Sequence, residues 1–323
     1  MKILKVGLVA DVNTESGYEA IERLISEPEF MEICTPVLFG NLSKATQVLK
    51  KIQLEQPFAF NSIKNAYEAV DGHANIVDGF ETEKDALAAA INAYMSNNID
   101  VLVIAPENIV NTSDKHDLSD FIAKSIEAEQ KDVFDWVVNG NLRTLELHPI
   151  DKNHDMAEGL AVEAFMNDLM AINKSLRKDY MLIKPRIAVV SSIATLHKDL
   201  AELREHGVFA FGPFSSKSFA EESYSHYDAV LFLEDDKACE SILSKQDNAN
   251  TFGYISGLPM VVTYLTKNAD GAYQGMKDAL YSAIDILRAR ISYKRATYNP
   301  LEKQWVPRGR DDFKLDLTKE DAE

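Results

Sequence analysis

Three consecutive carboxylates, Glu234, Asp235 and Asp236, end the apolar climb of AVLFLEDDKA at residues 229–238. A second dense polar group, LHPIDKNHD, carries His148, Asp151, His154 and Asp155. Carboxylate oxygens suit hard cations such as magnesium or manganese, and an imidazole can complete such a set. His148, Asp235 and Asp236 are therefore the metal-ligand candidates. The same residues also read as a solvated strand end and as cap or loop chemistry before a helix. Polar residues follow other apolar runs too: Asp11 and Asn13 after the first, Glu107 and Asn108 after VLVIAP, Ser191 and Ser192 after IAVV. Each has a plain reading as a turn or N-cap. Taken together they outline a cleft, because ligands of open α/β sheets collect beyond the carboxyl ends of strands. Ser191-Ser192, entering a helix near Leu196, could hold an anion through backbone N–H groups, or could be a solvated cap.

Other chemistries find no support. The glycines stand alone or in GxxxG spacing, as at Gly253/Gly257 and Gly271/Gly275, so neither an ordinary Rossmann fingerprint nor a P-loop is present. The seven histidines include no HExxH and no Cys-His zinc spacing. A net charge of −17 repels phosphodiester backbones, and no basic block offsets it, so nucleic acid is not an expected partner. No run approaches the roughly 20 apolar residues of a membrane span, and MKILKVGLVADVN is interrupted by Lys5 and Asp11 before it could serve as a secretory core. Two cysteines, Cys34 and Cys239, suggest a reducing compartment and apolar filler rather than a disulfide framework. A cytoplasmic location is the expectation.

The elements that must position these groups alternate. Short apolar runs at 4–10, 36–39, 101–105, 186–190, 229–233 and 260–265 read as strands. Between them, Ile21, Leu24 and Ile25, or Leu87, Ala90, Ile91 and Tyr94, recur at helical spacing. A long helix from Asp155 to about Leu176 buries Leu160, Phe165, Leu169 and Ile172, with Asp155 and Glu158 as its N-terminal cap. Its apolar stripe suggests a twofold mate. This alternation predicts an α/β fold with a mainly parallel sheet covered by helices. The expected division is two α/β/α lobes with a cleft between them, residues 1–125 plus 271–305 forming one and 126–270 the other, with a polar tail over 306–323.

Read as an ordered set, the strand ends resemble the 4-hydroxythreonine-4-phosphate dehydrogenase family of pyridoxal phosphate biosynthesis. VGLVADVN with SGYEAI is similar to the family's N-terminal strand–turn–helix, and IDVLVIAPEN to its strand ending in Thr-Ala-Pro. KPRIAVV, HGVFAFGPF, YDAVLFLEDD and SGLPMVVTYLTKNADGAYQGMKDAL continue the order; Gly212-Pro213, the Asp-Ala-Val strand and Gly257-Leu258-Pro259 are the most specific matches. The resemblance implies an architecture like that of isocitrate and isopropylmalate dehydrogenases, a homodimer that completes the site, and NAD bound without the ordinary fingerprint. It also implies a divalent ion held by three histidines, which polarises the substrate hydroxyl before hydride transfer to NAD and loss of carbon dioxide.

The departures lie in the chemistry. His148 stands for the first family histidine; the loop carrying the second is absent before SSIATLHKDL, where His197 is no straightforward replacement. Asp235 takes the place of the third, and Asp236 matches the aspartate after it. The family's Gly-His-Thr-Glu falls on DLSDFIA, which makes Ser119 and Asp120 the substrate-binding candidates and puts Leu118 where the histidine stood, unless His116 serves by a shifted alignment. Val262 replaces the arginine after Gly-Leu-Pro, and Thr266, Lys267 and Asn268 replace Asp-His-Gly. A lost guanidinium removes charge-assisted phosphate recognition. The expectation is a divergent member with weak or no dehydrogenase activity, acting on or binding a small molecule in a binding or regulatory role. The alternative is an active oxidoreductase that depends on NAD and a divalent metal and has a rebuilt site.

Overall fold

Runs such as LKVGLV, CTPVLF and RIAVV have apolar or small residues on both faces, so a strand built from them must be covered on both sides. In the computed structural model, which describes residues 3–10, 12, 15–52, 58–105, 117–128, 132–147, 160–193, 195–215, 219, 226–233, 251–266 and 272–298, they are. The strands are β1 (Leu4–Val9), β2 (Cys34–Phe39), β3 (Phe60–Ile63), β4 (Ala74–Val77), β5 (Val101–Ile104), β6 (Phe134–Asn139), β7 (Leu142–Glu146), β8 (Arg186–Val190), β9 (Phe209–Phe214), β10 (Ala229–Phe232), β11 (Thr251–Ser256) and β12 (Val262–Leu265). The helices are α1 (Ser16–Ile25), α2 (Pro28–Ile33), α3 (Leu42–Lys51), α4 (Glu83–Met95), α5 (Asp117–Ser125), α6 (Leu160–Tyr180), α7 (Leu196–Glu205) and α8 (Ala272–Thr297).

The described strands form one sheet of 12, in the order β3-β4-β2-β1-β5-β12-β11-β6-β7-β10-β8-β9. From β3 to β12 every pairing is parallel; β12-β11, β11-β6 and β6-β7 are antiparallel; β7-β10, β10-β8 and β8-β9 are parallel again. Three reversals mean that β7, β10, β8 and β9 run opposite to β1, β2, β4 and β5. All six strands expected from the sequence are present, within two residues at either end. The sheet is continuous through the expected lobe boundary, because β12 bonds to β5 on one side and β11 on the other.

One core layer runs along a whole face of the sheet. There α1, α3, α6, α7 and α8 bury residues such as Ile21, Val48, Leu169, Leu200 and Leu280 against Val6, Val103, Val189 and Leu231. On the other face, α4 and α5 pack Leu87, Ile91, Leu118 and Ile122 onto Val9, Leu102 and Ile104. Local signals start two of the helices. Asn41 Oδ1 accepts from Lys44 N at the start of α3, and Thr82 and Asp85 form a reciprocal capping box at α4.

The long helix differs from its sequence reading in one respect that matters. Phe165, Leu169, Ile172 and Leu176 are buried inside the chain's own core, so the stripe is already covered and gives no independent argument for a twofold mate. The cap at Asp155 and Glu158, like the tail over 306–323, lies outside the described residues. No described helix is long and apolar enough to cross a membrane.

Candidate functional site

The ends of β7, β10, β8 and β9 emerge side by side on one rim. Leu147 N donates to Phe232 O at 3.0 Å, Leu233 N to Val190 O at 3.1 Å, and Ser191 N to Phe214 O at 2.9 Å. His148 follows directly on Leu147, and Asp235 comes two residues after Leu233. Adjacent strands lie about 4.8 Å apart, so the segments carrying the histidine and the aspartates leave the sheet from neighbouring strands. His148, Asp235 and Asp236 themselves lie outside the described residues, as do Asp151, His154, Asp155, Asp11, Asn13, Glu107 and Asn108. Among the described residues no cluster of three or more His, Cys, Asp or Glu could hold a metal. The donor chemistry of His148, Asp235 and Asp236 fits a hard divalent ion, and the adjacency of their anchors is compatible with a shared site.

The strand ends do not outline a single rim, however. Because the second parallel group runs opposite to the first, β1 and β5 end on one rim at Ala10 and Ala105, and β8 and β10 on the other at Ser191 and Leu233. Even periodicity gives no hint of this, since an odd number of reversals leaves every apolar run unchanged. At Ser191 the structure shows a turn and not a helix cap: the buried hydroxyl oxygen accepts from Ile193 N at 3.1 Å, whereas the N-cap of α7 is Thr195, whose side chain makes no capping bond.

Of the substrate candidates, Ser119 lies on the first turns of α5 and is only 5% exposed, whereas Asp120 is half-exposed. Leu118 and Val262, which stand where the resemblance puts an imidazole and a guanidinium, belong to the same apolar core as α4, and Val262 is fully buried in β12. Neither position presents a polar group. Cys34 is buried, its thiol donating to Phe30 O and pushed up to about 12 chiefly by burial, so it is filler as its composition suggested.

The most specific sequence motifs turn out to shape the backbone. Gly257 has φ +85°, and a Cβ there would stand 1.9 Å from Asp132 O. Gly212 has φ +123°, with Val189 O 2.4 Å from where its Cβ would be. Asp228, of the Asp-Ala-Val strand, ties β10 to β8: Arg186 N donates to its carboxylate at 2.7 Å and Asp228 N donates to Arg186 O at 2.8 Å.

Sequence reasoning missed a buried polar network beneath Gly257-Leu258-Pro259. Arg290 of α8 donates through Nε to Asp179 Oδ1 at 2.7 Å, and through Nη1 to the carbonyls of Leu258 and Pro259 at 2.9 and 3.0 Å. Tyr254 OH and Ser175 Oγ donate to Asp179 Oδ2 at 2.6 and 2.8 Å. Burial, the first cause, and Asp179 among the others keep the Tyr254 phenol protonated well above its ordinary value. The signal was in the sequence: Arg290 continues the stripe of Met276, Leu280, Ala283 and Leu287, where an unpaired charge would be expensive.

No protein-family model matches the chain. It is 27% identical to the 4-hydroxythreonine-4-phosphate dehydrogenase of Bacteroides thetaiotaomicron over 374 aligned positions, covering 98% of this chain and 99% of that one. A crystal structure of a 4-hydroxythreonine-4-phosphate dehydrogenase from Burkholderia phymatum superposes with a TM-score of 0.60 at 14% identity, over 88% of this chain and 99% of the other. The corresponding Klebsiella pneumoniae structure gives 0.59 at 15% identity, over 87% and 100%. The structures establish the shared fold, and the sequence likeness to the Bacteroides enzyme runs the length of both chains.

Proposed function

We propose that this relative of a 4-hydroxythreonine-4-phosphate dehydrogenase keeps the family's scaffold with weak or no dehydrogenase activity, and serves as a small-molecule-binding or regulatory protein. The observation that carries the reading is Val262. It fills the core of β12 at the place where the resemblance puts a phosphate-holding arginine, and a buried isopropyl group cannot make charge-assisted hydrogen bonds. Leu118, equally buried, supports it from α5. A homodimer, by the resemblance, is part of this proposal, and its contact must use a surface other than the core stripe of α6.

A second reading is favoured by one observation, the neighbouring exits of β7 and β10. In it, His148, Asp235 and Asp236 would hold a divalent ion that supplies Lewis acidity to a substrate hydroxyl, and NAD would accept the hydride. Ser119 and Asp120 would then face the substrate. The deciding assay supplies purified chain with NAD, magnesium or manganese and 4-phosphohydroxythreonine, and follows NADH absorbance. The expected result is no turnover above background. Turnover at an ordinary enzymatic rate, abolished by Asp235→Ala, overturns the first reading and establishes the second.

A further inference from the structure

A groove of about 570 Å³ opens between α6 and the backbone at Asp132 and Gly257. One stripe of α6, at helical spacing, lines it: Asn167, Met170, Ala171, Lys174, Ser175 and Lys178. This stripe is distinct from Phe165, Leu169, Ile172 and Leu176, which face the core. Its charges are out of keeping with the molecule. In a chain of net charge −17, Lys174 and Lys178 stand one turn apart on the same wall, and neither forms an ion pair among the described residues. Asp179, the carboxylate nearest to them in the wall, is already engaged by Arg290, Tyr254 and Ser175. Asp132 is the other carboxylate of the lining.

We propose that this groove is a binding site for a small phosphorylated molecule, whose phosphate oxygens accept hydrogen bonds from Lys174 and Lys178 and from the Asn167 amide. The volume falls within the range of small-molecule pockets, roughly 300–1,000 Å³. The available donors are ammonium and amide groups, because the Ser175 hydroxyl already donates to Asp179. Phosphate, with several acceptor oxygens on one centre, can bridge two ammonium groups one helical turn apart. Lys178 has a further reason to gain from an anion. Burial first, then Arg290, and more weakly Lys174, push its ammonium below the ordinary lysine value, while Asp179 pulls the other way. A bound dianion would relieve that repulsion. Asp132, on the opposite wall, suits a hydroxyl or amino group elsewhere on the ligand. The proposal does not depend on dehydrogenase activity and involves none of the residues assigned to metal or hydride chemistry.

The test titrates inorganic phosphate and pyrophosphate into the full chain by calorimetry, at constant ionic strength with chloride as balancing ion. Saturable binding with one site per chain is expected. Lys174→Gln with Lys178→Gln should weaken it at least tenfold, while Lys84→Gln with Lys198→Gln, on α4 and α7, should leave it unchanged. Absence of saturable heat in the unaltered chain, or equal weakening by both pairs of substitutions, overturns the proposal. A measurement that needs no variant guards against misfolding: acetic anhydride labelling of the unaltered chain, read by peptide mass spectrometry. Pyrophosphate should protect Lys174 and Lys178 selectively, and unchanged labelling of both overturns the site.

Discussion

Glu22 is a carboxylic acid with no exposed surface, on the core side of α1, and neither of its oxygens has a hydrogen-bond partner among the described residues. Burial first, and the nearby Glu19 second, push it up from 4.5 to about 8. Between those values the folded chain holds a proton that the unfolded chain has released. Glu22 therefore contributes most to stability below about pH 4.5, and that contribution is lost as the pH rises through about 8, with a slope of up to about 1.4 kcal/mol per pH unit. Glu22→Gln removes the titration. Denaturant unfolding at several pH values should show the variant gaining on the unaltered chain as the pH rises from 5 to 8, and a pH-independent difference would refute the assignment. Gly257 is the other residue whose environment dictates a result. Its positive φ and the Asp132 carbonyl in the space of any Cβ make Gly257→Ala a change that must move backbone. We expect at least about 3 kcal/mol of destabilisation, or insoluble protein, because steric overlap adds to backbone strain. A loss below 1 kcal/mol in urea unfolding would show that the loop gives way. These two residues also mark what sequence alone conveys: Gly257-Leu-Pro is conspicuous as a motif, whereas nothing in the local pattern singles out Glu22, between Ile21 and the Arg23 that pairs with Glu19.

At the scale of elements, α6 and α8 are held by Asp179 and Arg290 over β11, an ion pair with both side chains almost wholly buried. Such a pair is a weak source of net stability while intact, but removing one partner leaves a charge in the core. Arg290→Leu should therefore cost about 3–5 kcal/mol, and Tyr254→Phe, which removes a single donor to the same carboxylate, about 1–2 kcal/mol. The two costs should not add, since both act on Asp179. Equal and small losses in guanidinium unfolding would contradict this. The strands that alternate with clear helices, β1, β5, β8 and β10, were legible as short, mainly apolar runs, with only Lys5 and Arg186 charged. By contrast, β6 and β7 were not. FDWVVN and LRTLE mix polar and apolar residues, whose side chains are spent within the fold: Asp135 accepts from Tyr264 OH, Asn139 donates to Thr251 Oγ1, Thr144 donates to Val137 O, and Arg143 donates to the carbonyls of Asn141 and Asp228. The reversal of direction they introduce separates the two sets of strand ends, and no local periodicity encodes it. The candidate metal residues were legible as residue types, and only the pairing of β7 with β10 relates them to one another.

Over the whole molecule, the motifs that most specifically carry the resemblance, Gly212-Pro213, Asp228-Ala229-Val230 and Gly257-Leu258-Pro259, fix backbone approach and strand pairing. The positions where the resemblance calls for ligand-holding groups, Leu118 and Val262, have joined the core. A scaffold and its chemistry answer to different constraints, so one can persist while the other changes. This chain carries −17 at neutral pH. Like charges confined to a compact surface repel one another more than they do in an expanded chain, so folding works against the molecule's own field. Raising ionic strength from 0.01 to 0.15 M shortens the screening length from about 30 to about 8 Å, well below the width of the molecule. The thermal midpoint should accordingly rise by several degrees as potassium chloride is added over that range. Chloride can also occupy the Lys174–Lys178 groove, so the comparison is repeated with Lys174→Gln and Lys178→Gln in place. A rise that persists in this variant reports the general field, whereas a midpoint that is flat or falls with salt would mean that local ion pairs such as Lys277–Glu27 outweigh the net charge.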